Sequence, residues 1–376
     1  MAELTVAMDA RYLAGERKGI GRYLHTLLAG ISSLAEPPAF VFISDRELQL
    51  DYPALAYETV AAPRRPVYAW EQLTLPRILR RVGADLFHAP GNALPLRPPS
   101  PTVLTLHDVM MFERSFHTGE ANRYYVYQSW VLKRAAPRCA RVITVSATSA
   151  RDIARRLGPG AASRLTVIEE AVDPIFFEPR SPEAPADFRE RRGLPGRYLL
   201  HLGAAFPRKN TRLTLEAYKL ACSRADVPAL VVGGVARDDA PAVDGWIAEA
   251  GLEGRVVVQP YLPPAEHALL VAAAELLLYP SAYEGFGLPA LEAMAVGVPV
   301  VASRHGALPE TCGDAAAYVD TEPGALAEVI RELAGDEEAR RRLAAAGAAH
   351  VARYSPARMA ERTLEVYREA AAAKKS

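Results

Sequence analysis

Short apolar runs alternate with amphipathic stretches along the whole chain, and this rhythm limits its fold more than any other property. In the first half the runs are "LTVAMD", "FVFIS", "DLFHAP", "TVLTLHD", "RVITVS" and "LTVIEEAV". Between several of them lie stretches with helical spacing: "GRYLHTLLAGISSL", "AWEQLTLPRILRRV", "YYVYQSWVLKRAA" and "SARDIARRL". The second half repeats the pattern with "YLLHLG", "ALVVGG", "RVVVQP", "LLLYPS", "VPVVAS" and "AAYVD". Strands of this kind, separated by helices, form mostly parallel sheets with helices on both faces. A chain of 376 residues is too long for one small core and suits two domains of about 150–190 residues. The expected fold is therefore α/β, with two doubly wound Rossmann-like domains.

The stretch "FEPRSPEAPADFRERRGLPGR" is rich in proline and charge, and few contacts are expected to cross it. The expected division is a first domain over 1–177, a linker over 178–196, a second domain over 197–355 and a last helix over 356–376. Ser355 and Pro356 supply the N-cap and the first residue of that helix.

Composition excludes several functions. The 44 basic and 44 acidic residues cancel, which argues against nucleic acid as a partner. Cys139, Cys222 and Cys312 are far apart, so neither a disulfide framework nor a zinc site is expected. No leader-like segment opens the chain and no run of about 18 apolar residues occurs, so a cytoplasmic protein is expected. Membrane contact would be peripheral at most, through a basic amphipathic stretch such as "LPRILRRVGADL".

The segment "YPSAYEGFGLPALEAMAVGVPVVAS", residues 279–303, reads as strand, glycine loop, helix and strand. Gly285 and Gly287 break the chain, Pro289 suits a first helical position, and Gly297 ends the helix. A helix start offers unpaired N–H groups and partial positive charge, a good seat for phosphate. Glu284 and Glu292 then act as acceptors for sugar or ribose hydroxyls; in the alternative, Glu292 only favours the helix dipole and Glu284 is solvated.

Ligands of open α/β sheets bind at the carboxyl ends of strands. There "HLGAAFPRKN" places Arg208 and Lys209 side by side, two cations suited to a diphosphate, with Asn210 or Thr211 positioned to cap the next helix. His88 and His107 end two strands of the first half, where each is as readily structural as functional. Gly19 and Gly21 open a helix near the N-terminus, but Leu24 occupies the third glycine position of a dinucleotide fingerprint and the preceding strand ends about ten residues earlier, a spacing that argues against a nicotinamide cofactor. No cofactor is expected. With no Asp-x-Asp pair, no metal site is expected either, and a diphosphate's charge would be met by side-chain cations and amides.

Taken together, "EGFGLPALE", "PRKN", "VVGG", "TLHD", "VITVS" and the N-terminal glycine loop resemble, in order, the retaining glycosyltransferases of family 4, also called glycosyltransferase group 1. The resemblance covers nearly the full length. It implies the GT-B fold, in which the two domains face each other across a cleft that closes on the substrates. It assigns Glu284 to the donor sugar's hydroxyls, Glu292 to the ribose, and Gly285, Phe286, Gly287 and Leu288 to the sugar and phosphates. Lys209 matches the diphosphate lysine, Gly203 ends the strand before it, and His107 would contact the donor sugar. Tyr261 and Leu262 would border the base, and the Gly19–Gly21 loop would close over donor phosphates or acceptor. The first domain would take the acceptor, the second the nucleotide sugar, and the last helix would cross back to the first.

The chain departs from the family pattern in two places. Ala204 follows Gly203 where arginine is common, with Arg208 as the replacement cation, and Glu170 and Ala171 stand where "NG" often precedes Val172 and Asp173. The implied reaction moves a hexose, mannose among the candidates, from a nucleoside diphosphate sugar to a glycan, lipid-linked or small-glycoside acceptor. It retains configuration and needs no metal. A nucleotide-sugar epimerase of the same architecture and a non-catalytic nucleotide-sugar-binding protein are the alternatives.

Overall fold

The computed structural model describes residues 4–15, 19–113, 121–203 and 205–373. By its internal contacts the chain divides into two units. One comprises Met1–Ala171 with Tyr354–Ser376, the other Val172–Arg353.

The first unit holds seven parallel strands: β1 (Thr5–Asp9), β2 (Ala39–Ser44), β3 (Tyr57–Ala61), β4 (Leu86–Ala89), β5 (Thr102–Thr105), β6 (Arg141–Thr144) and β7 (Leu165–Val167). Their spatial order is β3-β2-β1-β4-β5-β6-β7. Alternation along the strands sorts the core onto two faces. Val6 and Met8 of β1 join one cluster, with Phe40, Leu24 and Leu27, while Ala7 joins the other, with Val41, Trp70 and Val131. The edge strand β3 is mostly exposed, as an edge with one neighbour allows.

The second unit holds β8 (Tyr198–Leu202), β9 (Ala229–Val235), β10 (Val256–Pro260), β11 (Leu276–Tyr279), β12 (Val300–Ser303) and β13 (Ala317–Val319), all parallel, in the order β10-β9-β8-β11-β12-β13. Every residue of β8, β11 and β12 is buried, which explains why these segments are largely apolar rather than alternating. In each sheet the winding reverses once, between β1 and β4 and between β8 and β11. The crevice at such a reversal, beyond the strands' carboxyl ends, is where a doubly wound sheet receives a ligand.

The stretch 178–196, expected to make few contacts, carries a helix, Ala184–Arg191, whose Phe188 is buried. Its polar composition hides a single anchoring aromatic. The last helix, Pro356–Ala372, is capped by Ser355, whose Oγ accepts from the Arg358 amide at 3.3 Å. Its Met359, Ala360, Val366 and Tyr367 lie in the same cluster as Leu24, Leu27 and Ile31, so its apolar stripe completes the core of the first unit. Among the described residues no helix is long and apolar enough to cross a membrane.

Candidate functional site

At the reversal point of the second sheet, the loop after β8 meets the loop after β11. A short 3-10 turn, Pro207–Lys209, follows β8 and is tied across the crevice. The Ala282 amide donates to the Arg208 carbonyl at 2.7 Å, and Asn210 Nδ2 donates to the Pro280 carbonyl at 2.7 Å. The side-chain cap expected of Asn210 on the following helix, Thr211–Cys222, is not made. Asn210 stands at the cap position with φ 55°, but its amide is committed to Pro280. The left-handed backbone suits asparagine, which tolerates it better than most residues.

Two glycines allow the close approaches. A Cβ on Gly203 would lie 2.2 Å from His201 Nε2 and 2.5 Å from Thr211 Oγ1. Gly287 has φ 116° and would place a Cβ 2.7 Å from Leu308. It precedes the helix Leu288–Ala295, so the glycine is needed both for its backbone and for the packing of that helix start.

These supports bring two cations onto one carboxylate. Glu284 Oε1 accepts from Arg208 Nη1 at 2.7 Å and from Lys209 Nζ at 2.8 Å, and Glu284 is 8% exposed. The solvated alternative for Glu284 is thus not what the structure has. Lys209 Nζ also donates to the Tyr279 hydroxyl at 2.9 Å and lies 4.7 Å from that ring's centre. Burial would raise the Glu284 carboxyl, but Lys209 and Arg208 outweigh it and hold the group down at about 2. Burial, with the like charge of Arg208, pushes the Lys209 ammonium down to about 8 despite Glu284. Both shifts follow from two positive charges sharing one negative charge out of water.

Glu292 is fully buried within the helix Leu288–Ala295, not a surface partner of its dipole. Its Oε2 lies 3.4 Å from His267 Nε2. Gly285 and Phe286 are buried in the loop ahead of that helix, and Leu288 is half-buried at its start. Tyr261 and Leu262 follow β10, two strands from β8, with Leu262 buried. Ala204 lies outside the described residues.

In the first unit, Gly19 is the N-cap of the helix Ile20–Ser32, and Gly21 lies buried within its first turn rather than in the loop. Tyr23 of that helix meets the His107 ring edge-on, with centres 4.7 Å apart. Both nitrogens of His107 are engaged. Nδ1 is 2.7 Å from Glu170 Oε1 and Nε2 is 3.1 Å from the Pro90 carbonyl, and since both partners accept, the ring donates twice as an imidazolium. Burial opposes that charge, but Glu170 prevails and raises the His107 pKa above its ordinary value. His88 is structural: it is fully buried, bonded to Thr105 Oγ1 at 2.8 Å and Tyr367 at 2.7 Å, and lowered to about 3 by burial and the nearby His107.

Three residues of these two clusters are missed by sequence reasoning. Tyr279 reads as a strand end, His267 as part of a helix, and Glu170 only as a departure from a turn pattern. The strand-end position of Tyr279, directly before Pro280, is the one usable signal.

The His107–Glu170 pair gives a pH-dependent prediction. A raised histidine pKa stabilises the fold below the histidine's unfolded value near 6.5, and the contribution is lost as pH rises through the folded value. Glu170→Gln should therefore cost about 1–3 kcal/mol at pH 6 and distinctly less at pH 9, read from denaturant midpoints. A cost that is the same at both values would contradict the ion pair.

Similarity to known proteins identifies the family and the fold. Residues 17–176 match the family model described as Glycosyltransferase Family 4, and residues 186–350 match that described as Glycosyl transferases group 1. The chain is 32% identical over 312 residues to the O-antigen chain mannosyltransferase B of Escherichia coli, covering 81% of this chain and 77% of that protein. It is 36% identical over 215 residues to the 2-deoxystreptamine glucosyltransferase of Streptomyces kanamyceticus, covering 55% of this chain and 52% of the other. In structure it is similar to Anabaena Alr3699/HepE in complex with UDP and glucose, with a TM-score of 0.75 at 20% identity over 96% of this chain and 98% of that one. It also matches the sucrose-phosphate synthase of Thermosynechococcus elongatus, with a TM-score of 0.76 at 22% identity over 99% of this chain and 100% of that one. With two parallel α/β sheets built in this way, the chain is an enzyme that belongs to the family 4 (group 1) glycosyltransferases of GT-B fold.

Proposed function

We propose that this glycosyltransferase moves a hexose, mannose first among the candidates, from a nucleoside diphosphate sugar, with retention of anomeric configuration and no required metal ion. The observation that carries the donor assignment is the pairing of Arg208 and Lys209 on the single Glu284 carboxylate, at the sheet's reversal point. Two cations converge there on one carboxylate oxygen, in the geometry that would also receive the oxygens of a diphosphate. Mannose is supported by the relative from Escherichia coli, a mannosyltransferase, and a nucleotide-sugar donor by the neighbour that holds UDP and glucose. A glycan, lipid-linked or small-glycoside acceptor is supported by the O-antigen chain and 2-deoxystreptamine in the relatives' names.

In this reading the bond between the sugar's anomeric carbon and the diphosphate oxygen breaks, and the acceptor oxygen bonds to that carbon on the same face. The departing phosphate oxygen takes the acceptor's proton, so no protein nucleophile is used. Negative charge growing on the diphosphate is met by Lys209, Arg208 and the amides at Gly285–Leu288, preorganised before the reaction. Glu284 accepts from a sugar hydroxyl, Glu292 from the ribose, Tyr261 and Leu262 border the base, and Gly203 leaves room beside the phosphates. In the first unit Gly19 and Gly21 offer helix-start amides. His107, held as a cation, exchanges the Pro90 carbonyl for a sugar oxygen. Membrane contact in this account is peripheral, through the basic helix Leu75–Val82 with Arg80 and Arg81 in its last turn.

Product analysis by NMR tests the reading. Incubated in EDTA with GDP-mannose, UDP-glucose and a mannoside acceptor, the enzyme should yield a glycoside whose anomeric configuration matches the donor's. Inverted product, or an epimerised donor formed without acceptor, would replace the proposal with an inverting transferase or an isomerase.

A further inference from the structure

A second concentration of positive charge lies in the first unit, beyond the carboxyl ends of β1, β2 and β3. Arg11, Arg46, Arg64 and Arg65 line a cavity of about 640 Å³ together with Tyr12 and Tyr124. Among the described residues the one acidic group in its wall is Asp45, 3.9 Å from Arg46. Arg11 is fixed: its guanidinium pairs with buried Asp9 at 2.7 Å and lies 4.6 Å from the centre of the Trp70 ring. Arg46, Arg64 and Arg65 are exposed. Counting Asp9, Asp45 and the neighbouring Glu71 against the four arginines, the described residues around the cavity still carry an excess of positive charge, in a chain whose formal net charge is 0. A concave wall of one sign concentrates its field, and guanidinium forks match the oxygens of phosphates and carboxylates.

One lining residue of the cavity stands beside the glycine helix start. Tyr12, which lines it, brings its hydroxyl to 3.0 Å from where a Cβ on Gly91 would sit, and Ile20 approaches the same point at 2.8 Å. Gly91 follows Pro90, whose carbonyl binds His107. In the glycosyl-transfer reading the donor diphosphate has its cations in Arg208 and Lys209, so the exposed Arg46, Arg64 and Arg65, beside the fixed Arg11, can serve another anion. The volume suits one sugar with its charged substituent.

We propose that this cavity holds an anionic group of the acceptor, a phosphate ester or carboxylate on the saccharide that receives the transferred hexose; this rests on the glycosyl-transfer reading. Glucose 6-phosphate, glucuronate and glucose, titrated calorimetrically into the full chain, test it. One or both anionic sugars should bind at least about tenfold more tightly than glucose, and added salt should weaken them. Preference for glucose 6-phosphate identifies a phosphate source, and preference for glucuronate a carboxylate.

The advantage should vanish in Arg64→Ala/Arg65→Ala, an exposed pair whose loss leaves the core intact, and should persist in Lys209→Ala. Arg46→Ala, made independently, should weaken each anionic sugar that shows the advantage. Equal binding of all three sugars, an advantage that survives the double variant, or one abolished by Lys209→Ala would each overturn the assignment. Nucleoside diphosphate titrated into the same samples separates the two claims. Its binding should be unchanged by the arginine variants, and its absence from the wild-type chain would sink the transferase reading without touching the anionic cavity.

Discussion

Lys209→Ala should lower turnover about a hundredfold and leave the protein folded. The ammonium is already in place, held by Glu284 at 2.8 Å and Tyr279 at 2.9 Å, so in the proposed reaction it would meet charge on the leaving diphosphate without reorganising. Removing one such preorganised charge costs roughly 3 kcal/mol of barrier, which is the hundredfold effect. The fold should suffer less than the rate, because Glu284 keeps Arg208 at 2.7 Å and the like charge that depresses Lys209 is relieved. Steady-state rates alongside thermal melts check this. Near-normal turnover would remove Lys209 from the mechanism, and a collapsed fold would make it structural.

Glu284→Gln should do the reverse, affecting stability strongly. Its carboxylate faces both cations at hydrogen-bond distance, and deleting that charge leaves Arg208 and Lys209 repelling each other in a nearly buried site. Breaking a buried pair in this way costs on the order of 3 kcal/mol. The pH dependence has a definite sign. A carboxyl held at about 2 stabilises the fold above its unfolded value near 4.5, and loses that contribution as pH falls from there towards 2. At pH 7 the variant should melt roughly 6–12 °C lower. Its cations then lack the Glu284 charge, so it should bind a nucleoside diphosphate at least as tightly as the wild type while transferring sugar more slowly. Weaker binding in the variant would mean that Glu284 does not compete with the diphosphate for Arg208 and Lys209.

Much of the fold and of this cluster is legible in the residues alone. Fully apolar runs such as "LLLYP" and "VPVVAS" are what a strand buried on both faces requires, and both form strands of a parallel sheet. The punctuation by Gly287, Pro289 and Gly297 places the helix Leu288–Ala295 to within a residue. Arg208, Lys209 and Glu284 each stand out in their own loops. That they share one oxygen follows from the strand order, because β8 and β11 are neighbours in the sheet although β9 and β10 lie between them in the chain.

Partners set by tertiary contact are not legible in this way. Glu170 carries no local signal for His107, 63 residues away, and Phe188 is one aromatic in a stretch whose composition otherwise reads as solvent-exposed. The arginine cavity draws on residues after three different strands, each unremarkable in its own loop.

The most direct test of the central claim is calorimetric titration of the wild-type chain and of Lys209→Ala with UDP, GDP and ADP in EDTA. One nucleoside diphosphate should bind the wild type without metal, and should bind Lys209→Ala at least about tenfold more weakly. Binding that requires a divalent ion, or that is indifferent to Lys209, would contradict it.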